Sequence, residues 1–465
     1  MGSNDVLSDT DGSDAVRRVS RRNLLKRAGA AAAFTAVGPL VAACGSSKST
    51  TSTTTGSERS TTGTSSASAT STAGAQIREL LGLPSGKAAA QGITVPVGAS
   101  MALSGAVAIY GHLDYTAIKL AAEHIKQAGG PELHVQARNN ELANAQKGVA
   151  NAREWGGSGV PVVLSSGSAT VFSELPYYSQ FKMMGLEPGG ATKLGEGKPF
   201  FYQTRSEIPN DQLTGISAYL KAKHPAFKKV VMVGLAYSPA SDKLQEEAVK
   251  QTAASSGWSY LGSFFAPVTT TDYSSLISQI QSAKPDFVLC AIYGASVGVF
   301  LKQYATSGLK APIIGFDYTP EASKVAGSAI SGYQFAFDYF DASKPPNEWA
   351  KLFVAEYERA YGEEPTYYSA NYYEATFLIW QMIREIVAKS GDPTKQGNAY
   401  VEALTANPKF PSVYGSGGKY GTKEISPTTH SLVRVPMVYC EVNSEGKVQV
   451  LATFNKGSNS EFKLV

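Results

Sequence analysis

The chain has 465 residues and a net charge of +4, with 42 basic and 38 acidic side chains. This near balance excludes the concentrated basic face that nucleic-acid binding requires. The three cysteines and five histidines are scattered without a metal-ligand motif, so the sequence predicts neither a metal site nor a cofactor. Whether Cys290 and Cys440 form a disulfide is left open, because sequence does not establish their geometry.

An export signal is predicted in residues 1–43. Arg21 and Arg22 stand in the order Ser-Arg-Arg-x-Leu-Leu-Lys, and a weakly apolar run then ends in Val-Ala-Ala before Cys44. A basic start, an apolar middle and a small-residue cleavage site are the parts of a secretory signal. The run is shorter than the roughly 20 apolar residues of a transmembrane helix. The paired arginines resemble a twin-arginine signal, and Val-Ala-Ala-Cys at residues 41–44 resembles a lipobox. We therefore expect cleavage before Cys44 and lipid attachment to its thiol.

Residues 44–90 are predicted to be a disordered tether. Ser, Thr, Gly and Ala make up almost all of residues 45–75, and such a composition cannot bury enough apolar area to fold. A flexible chain of about 40 residues spans roughly 35 Å on average. The tether would hold a folded body near a membrane and leave it free to turn.

Alternating strands and helices are predicted from residue 91 onward. Apolar runs that indicate strands stand at residues 97–102, 133–137, 160–164, 182–186, 230–235, 258–265, 286–292 and 312–315. Between most of them, apolar residues recur at helical spacing. Two successive series of this kind predict an α/β fold with two parallel sheets covered by helices. Two long helices at 348–361 and 370–389 and a β-hairpin at 436–454 follow.

Several short segments stand in a fixed order over about residues 91–455. They are Leu-Ser-Gly at 103–105, Tyr-Gly at 110–111, a helix at 145–152, Lys-Pro-Asp at 284–286, Gly-Leu-Lys-Ala-Pro-Ile-Ile-Gly at 308–315 and Tyr-Gly-x-Glu-Pro at 361–365. Their order and spacing resemble the type I periplasmic binding proteins, in particular the Leu/Ile/Val (branched-chain amino acid) binding proteins of ABC transporters.

The resemblance implies two Rossmann-like lobes that are joined by three crossovers and hold a ligand between them. Lobe 1 would comprise residues 91–206 and 338–410, and lobe 2 residues 207–337 and 411–465. In open parallel sheets, ligands bind beyond the carboxyl ends of the strands. The loops considered next also lie at strand ends.

The resemblance assigns two loops of lobe 1 to a ligand carboxylate. Ser166 stands in Leu-Ser-Ser-Gly-Ser just before a helix, where hydroxyls and free N–H groups suit an anion. Gly190 and Thr192, in Pro-Gly-Gly-Ala-Thr, would complete that seat. An ordinary helix N-cap would leave the same pattern at the first loop.

The same resemblance places four further residues in the cleft. Asp317, in Gly-Phe-Asp, would pair with a ligand ammonium through a charge-assisted contact, although an aspartate that caps a turn needs no ligand. Tyr110, Tyr237 and Tyr293 would line the cleft with aromatic rings. The tyrosines between 367 and 373 favour core and hinge packing instead.

One motif favours an enzyme. Gly-Ala-Ser-Val-Gly at residues 294–298 fits G-x-S-x-G between a strand and a helix, the context of a nucleophile at Ser296. His430 is the only histidine downstream, and no His-Gly-Gly-Gly oxyanion motif precedes Ser296. A binding protein explains the same strand, turn and helix without a nucleophile.

The sequence as a whole therefore predicts a substrate-binding lipoprotein of an ABC importer rather than an enzyme. We expect a monomer outside the cytoplasm that is anchored to the membrane through Cys44. Its lobes would close on a small polar ligand, either an amino acid of the branched-chain kind or a related amide, and present this ligand to a permease. A sensing module for a receptor and a serine hydrolase using Ser296 are the alternatives.

Overall fold

Strands and helices alternate through most of the chain in its computed structural model. The structure describes residues 72–105, 107–142, 144–190, 193–415 and 417–465. The predicted export signal with Arg21 and Arg22, the predicted lipidation site Cys44, and Thr192 lie outside the described residues.

The first sheet follows a short helix, α1 (Ala73–Leu80). Its strands are β1 (Thr94–Met101), β2 (Glu132–Asn139), β3 (Val162–Ser165), β4 (Met184–Glu187) and β5 (Phe201–Gln203), connected through α2 (Ala108–Gln127), α3 (Ala145–Gly157) and α4 (Ser168–Phe181). All strands run parallel in the order β2-β1-β3-β4-β5. The winding direction reverses between β1 and β3, so the loops that follow these two strands separate and leave a crevice.

The second sheet repeats this arrangement. Its elements are α5 (Asn210–Lys223), β6 (Lys229–Ala236), α6 (Pro239–Ser256), β7 (Ser259–Pro267), α7 (Ser274–Ala283), β8 (Phe287–Ala291), α8 (Ala295–Thr306), β9 (Ile313–Gly315), α9 (Pro320–Ala326) and β10 (Gln334–Phe337). These strands are parallel in the order β7-β6-β8-β9-β10, and the winding reverses between β6 and β8. The prediction of an α/β fold with two parallel sheets is confirmed.

The last part of the chain returns to the first sheet before it completes the second. Its elements are α10 (Glu348–Tyr361), α11 (Tyr367–Ala388), α12 (Asn398–Ala406), β11 (Lys409–Ser412), β12 (Gly421–Glu424), β13 (Pro436–Val442), β14 (Val448–Asn455) and β15 (Ser458–Leu464). Helices α10 and α11 pack against α2. Strands β13 and β14 form the predicted hairpin, which pairs antiparallel with β10, and β15 adds one further strand.

The chain passes between the two sheets three times. The first passage is residues 204–209, between β5 and α5, and the second is residues 338–347, between β10 and α10. The third lies later than residue 411, where the lobe boundary is expected from the sequence. The segment through His430 still lies beside β5, because the Gln203 N–H donates to the His430 carbonyl at 2.8 Å. The third passage is therefore residues 431–435, just before β13.

Helix α1 lies within the predicted tether and corrects its extent. Thr72 caps the helix, since its Oγ1 accepts from the Ala75 N–H at 3.3 Å. Ile77 is fully buried, and α1 contacts both α2 and α10. Composition suggested disorder up to residue 90, but Ile77 is buried where α1 packs against α2 and α10.

Both remaining cysteines are buried in the second sheet. Cys290 lies on β8 and Cys440 on β13, and each is a free thiol. Burial raises the pKa of the Cys290 thiol to about 12. In the part of the chain that the structure describes, no helix is both long and apolar enough to cross a membrane.

Candidate functional site

A cavity lies between the two sheets, at the carboxyl ends of their parallel strands. Its volume is about 90 Å³, several times the roughly 10–15 Å³ that one water molecule requires. The lining residues are Tyr110, Leu142, Ser166, Gly167, Ala169, Phe172, Glu187, Gly189, Gly190, Ile208, Tyr237, Ser241, Leu244, Gln245, Tyr293 and Tyr368. Both sheets thus contribute walls at the place where their winding reverses.

Five residues predicted from the sequence line this cavity, and a sixth lies behind its wall. The lining residues are Tyr110, Ser166, Gly190, Tyr237 and Tyr293. Asp317 is only 1% exposed and is not among the lining residues. The structure brings these side chains together, and their contact with a ligand stays a prediction.

Asp317 is surrounded by donors from the protein itself. Its carboxylate accepts hydrogen bonds from the hydroxyls of Tyr110 at 2.5 Å, Tyr368 at 3.3 Å and Tyr367. The Gly294 N–H adds a fourth at 3.3 Å. Burial, and next the negative charge of Asp317, raise the pKa of all three tyrosines, which keeps them protonated as donors. This cluster links β9 of the second sheet to α2 and α11 of the first.

Ser166 directly follows β3 and is tied into the first sheet. Its N–H donates to the Ser100 carbonyl at 2.9 Å, and its hydroxyl donates to Oδ2 of Asp114 at 2.8 Å. The other carboxylate oxygen of Asp114 is buried and has no hydrogen-bond partner among the described residues. Burial raises the pKa of Asp114 well above its ordinary value. The N–H and the hydroxyl of Ser166 are thus both engaged by groups of the protein.

Gly190 has a backbone that other residues adopt poorly. Its φ is +74°, and a Cβ at this position would lie 2.3 Å from the Ser206 carbonyl oxygen. Only glycine fits this turn between β4 and the first passage. The loop thereby brings main-chain atoms, rather than a side chain, to the cavity wall.

The second sheet contributes a polar and aromatic wall. The Tyr293 hydroxyl donates to Oε1 of Gln245 at 3.2 Å, and the rings of Tyr293 and Tyr237 lie 5.8 Å apart. The Tyr237 hydroxyl is buried and has no hydrogen-bond partner among the described residues.

Glu187 lines the cavity but was not predicted from the sequence. It ends β4, is fully buried, and neither carboxylate oxygen makes a well-formed hydrogen bond with the described residues. Burial raises its pKa to about 8, although the positive charge of Arg205 and the nearby Gly190 N–H act in the opposite direction. A charged residue that closes the apolar run Met-Met-Gly-Leu, just before a candidate loop, is the signal that sequence reasoning missed.

Arg205 braces the cavity from the first passage. Its Nε donates to Asp338 at 2.8 Å and its Nη1 to the Gly189 carbonyl at 2.9 Å. The guanidinium also lies over the rings of Tyr367 and Tyr368, at 4.6 and 5.1 Å from their centroids. Arg205 therefore holds together the loop after β4, the second passage and the start of α11.

Ser296 and His430, which a hydrolase with the G-x-S-x-G motif would pair, do not contact each other in the described part of the chain. Ser296 stands in the first turn of α8, after Gly294. The His430 ring bonds the carbonyls of Lys198 and Phe201 and stacks on Tyr202, 4.2 Å between centroids. These partners occupy His430 beside β5 of the first sheet, whereas Ser296 belongs to the second. Within the described ranges no group of histidine, cysteine and acidic residues is arranged to hold a metal ion.

Known proteins share both this sequence pattern and this fold. A sequence model of the family "Periplasmic binding protein" matches residues 94–447. The "Leu/Ile/Val-binding protein homolog 1" of Brucella abortus is 23% identical over 321 residues, which cover 66% of this chain and 82% of that protein. The "Leu/Ile/Val-binding protein homolog 7" of the same organism is 24% identical over 329 residues, covering 66% and 81%.

Solved structures show the same fold at low identity. The branched-chain amino acid transporter substrate-binding protein LivJ from Streptococcus pneumoniae, in complex with isoleucine, has a TM-score of 0.64 and 18% identity, covering 80% of this chain and 99% of its own. An ABC transporter solute-binding protein from R. palustris, in complex with benzoate, has a TM-score of 0.66 and 19% identity, covering 79% and 98%. Since the family model spans more than half of the sequence and both comparisons agree with the two-sheet architecture, this chain belongs to the periplasmic binding protein family and has the type I fold of its Leu/Ile/Val-binding relatives.

Proposed function

We propose that the protein is the substrate-binding lipoprotein of an ABC importer, held outside the cytoplasm by a lipid on Cys44. The observation that carries the binding role is the cavity between the sheets. It combines aromatic rings with two polar groups, Glu187 and the Tyr237 hydroxyl, that make no well-formed hydrogen bond within the described part of the chain. Cavities of this kind are the usual sites for small organic ligands. We propose an amino acid or a related amide as the ligand, bound by residues from both lobes.

The lobes would be residues 91–206 with 338–430, and residues 207–337 with 431–465, since the segment through His430 lies beside β5. Each passage between the sheets is a short segment, the kind of connection that commonly serves as a hinge in domain closure. Closure on the ligand buries it and creates the surface that a permease would bind, so a loaded protein differs in shape from an empty one. We propose that a monomer is sufficient for this cycle.

A thermal-shift panel tests the binding role. The purified protein is screened against branched-chain amino acids, their amides, benzoate and 4-hydroxybenzoate, the last two because relatives of this fold are solved with them. A ligand at 100 times its dissociation constant should stabilise the fold by about 2.7 kcal/mol. Absence of a shift with every compound would contradict the proposal.

A matched pair of variants locates the binding. Ala169→Phe places a ring in the cavity and should abolish the shift, because Ala169 lines it. Ala355→Phe places the same ring on the exposed side of α10 and should leave the shift intact. The melting temperature of each unliganded variant verifies that it is folded.

The export route and anchor have their own test. Replacing Arg21 and Arg22 by lysine should stop export, whereas the same change at the neighbouring pair Arg17 and Arg18 should not. Cys44→Ala should release the exported protein from the membrane fraction. Continued export of the first variant would assign the leader to the general secretory route.

A further inference from the structure

The Glu187 carboxyl group differs from the other buried acids around the cavity. Asp317 accepts four hydrogen bonds, and Glu174 accepts three, from Ser100 at 2.6 Å, Ser165 at 2.7 Å and Tyr178 at 2.6 Å. Glu187 is equally buried, lines the cavity, and has no well-formed hydrogen bond on either oxygen in the described part of the chain. The Gly190 N–H acts on this carboxyl group from nearby but forms no well-formed hydrogen bond with it. Because a buried carboxyl group that lacks a full partner is costly, a ligand is the expected partner.

The charges around Glu187 leave the cavity without a free cation. The lining residues of the described chain include no lysine, arginine or histidine. The positive charge of Arg205 acts on Glu187, but the ion pair of Arg205 is with Asp338. Arg205 itself does not line the cavity, and its Nη2 has no hydrogen-bond partner among the described residues. The titratable groups that face Glu187 are Asp114 on α2, Glu174 and Tyr178 on α4, Arg205 in the first passage and Tyr372 on α11.

Aromatic rings line the same cavity as this carboxyl group. Tyr110, Phe172, Tyr237, Tyr293 and Tyr368 all line the cavity. The faces of such rings attract cations, most strongly where water is excluded. Rings and an unpaired carboxylate together favour a cation and disfavour an anion.

We infer that Glu187, rather than Asp317, pairs with the ligand, and that the ligand presents a cationic hydrogen-bond donor to it: an ammonium, amidinium or guanidinium group. This inference rests on the proposed binding function and deepens it by naming the charge of the ligand and the residue that reads it. The hydroxyl of Tyr237 provides a second contact in the same cavity.

A cation that binds to Glu187 should displace a proton from it. Burial holds the pKa of Glu187 at about 8, so the empty site is mostly protonated at neutral pH. A bound cation favours the carboxylate and lowers this pKa, so binding below pH 8 must release a proton. Affinity should therefore rise by up to tenfold per pH unit from pH 6 and level off above about pH 8. A ligand anion would show the opposite dependence, because it would require the protonated form.

Two triads of matched probes test the charge preference. Benzamidinium, benzamide and benzoate share a ring with a planar substituent, and 3-methylbutylammonium, 3-methylbutanol and 3-methylbutanoate share a branched chain. Within each triad only charge and donor capacity change in a major way. Calorimetry with the full protein should detect a cation binding more tightly than its neutral and anionic partners, with proton release at pH 6.5.

Two variants assign the effect to one residue. Glu187→Gln keeps the size of the side chain but not the charge, and should weaken cation binding by about ten- to a hundredfold and abolish proton release. Glu174→Gln removes a charge from a neighbouring buried acid that does not line the cavity, and should retain the cation preference. Melting temperatures verify that both variants fold.

The outcomes are distinct. Cation binding that survives Glu187→Gln, or stronger binding of an anion than of its matched cation, would overturn the assignment. The assignment also fails if neither cation binds while a compound of the amino-acid and aromatic-acid panel does. If no compound of either set binds, the proposed binding function itself is wrong.

Discussion

At the scale of single residues, two buried acids beside the same cavity differ in the hydrogen bonds that they accept from the protein. Asp317 has its hydrogen bonds supplied by three tyrosine hydroxyls and one N–H. Glu187 lines the cavity and has none that are well formed. Asp317 therefore ties elements of the two sheets together through hydrogen bonds within the protein, whereas we infer that the partner of Glu187 is a ligand.

We expect Asp317→Asn to lower the free energy of unfolding by about 2–3 kcal/mol, because hydrogen bonds to a charged acceptor are the stronger ones. Urea unfolding of the unliganded protein measures this. Asp272→Asn is the matched control, since an exposed asparagine can still accept from the Ser274 N–H and should be nearly neutral. Equal stabilities for the two variants would show that the tyrosine cluster does not depend on the charge.

Glu187 should make stability depend on pH. Its pKa is about 8 in the folded chain and lies near the ordinary 4.5 in the unfolded one, so the folded state binds the extra proton. The stability that protonated Glu187 contributes is fully present below pH 4.5. It is lost at about 1.4 kcal/mol per pH unit as the pH rises from there to the folded pKa of about 8, which amounts to about 4 kcal/mol between pH 5 and 8. Glu187→Gln has no such group, so its unfolding free energy should exceed that of the wild type increasingly with pH.

Urea titrations of the unliganded protein at pH 5, 7 and 9 measure this difference. Glu132→Gln, an exposed residue at the start of β2, should follow the wild type throughout. A constant difference between Glu187→Gln and the wild type across the pH range would mean that Glu187 does not titrate as described.

At the scale of elements, local signals account for both ends of helix α10. Helix α10 occupies residues 348–361, as predicted, because Asn347 caps its first turn through Ala350 at 2.8 Å and Gly362 ends it at a φ of +70°. Helix α1 has only eight residues and is too short to be stable alone. It exists because α2 and α10 offer it an apolar surface.

Ile77→Ala should therefore detach α1 without unfolding the remainder. Ile77 is the fully buried anchor of this helix, and truncation of such a residue typically costs 2–5 kcal/mol. Limited proteolysis should then cleave within residues 73–90 while the remaining chain resists. Glu79→Ala, on the exposed side of α1, should be as resistant as the wild type, and cleavage of both variants alike would contradict the docking of α1.

At the scale of the whole molecule, a buried polar network joins the passages between the sheets. Asp338 in the second passage accepts from Arg205 and Ser206 in the first, at 2.8 and 3.2 Å. It also accepts from Asn371 on α11 at 3.0 Å, and Asn371 in turn donates to the Tyr414 hydroxyl at 2.9 Å. The network therefore ties the first two passages to each other and to α11.

Arg205→Met should cost about 3–5 kcal/mol of unfolding free energy, because it leaves the Asp338 carboxylate buried and unpaired. Urea denaturation provides the value. Arg359→Met breaks an ion pair with Glu356 in which the arginine is two-thirds exposed, and should change stability by less than about 1 kcal/mol. A loss for Arg205→Met no greater than for Arg359→Met would show that the network does not brace the passages.

The sequence by itself determined the α/β class, the two series of strands and the strand ends at which the cavity forms. Apolar runs and helical spacing depend only on near neighbours, so they are readable without tertiary structure. Order and spacing of short segments were enough to identify the family. Tyr110, Ser166, Gly190, Tyr237 and Tyr293 were found in this way, and all five line the cavity.

Only the tertiary structure decided which hydrogen-bond partners each polar group has. Asp317 follows a buried strand and Glu187 ends one. Nothing near Asp317 in the sequence reveals that Tyr367 and Tyr368, about fifty residues away, donate to it. Nothing near Glu187 reveals that it makes no well-formed hydrogen bond with the described residues. The docking of α1 and the late third passage depend in the same way on surfaces made by distant segments. Burial, charge and hydrogen bonding are properties of the assembled neighbourhood, which local sequence patterns do not contain.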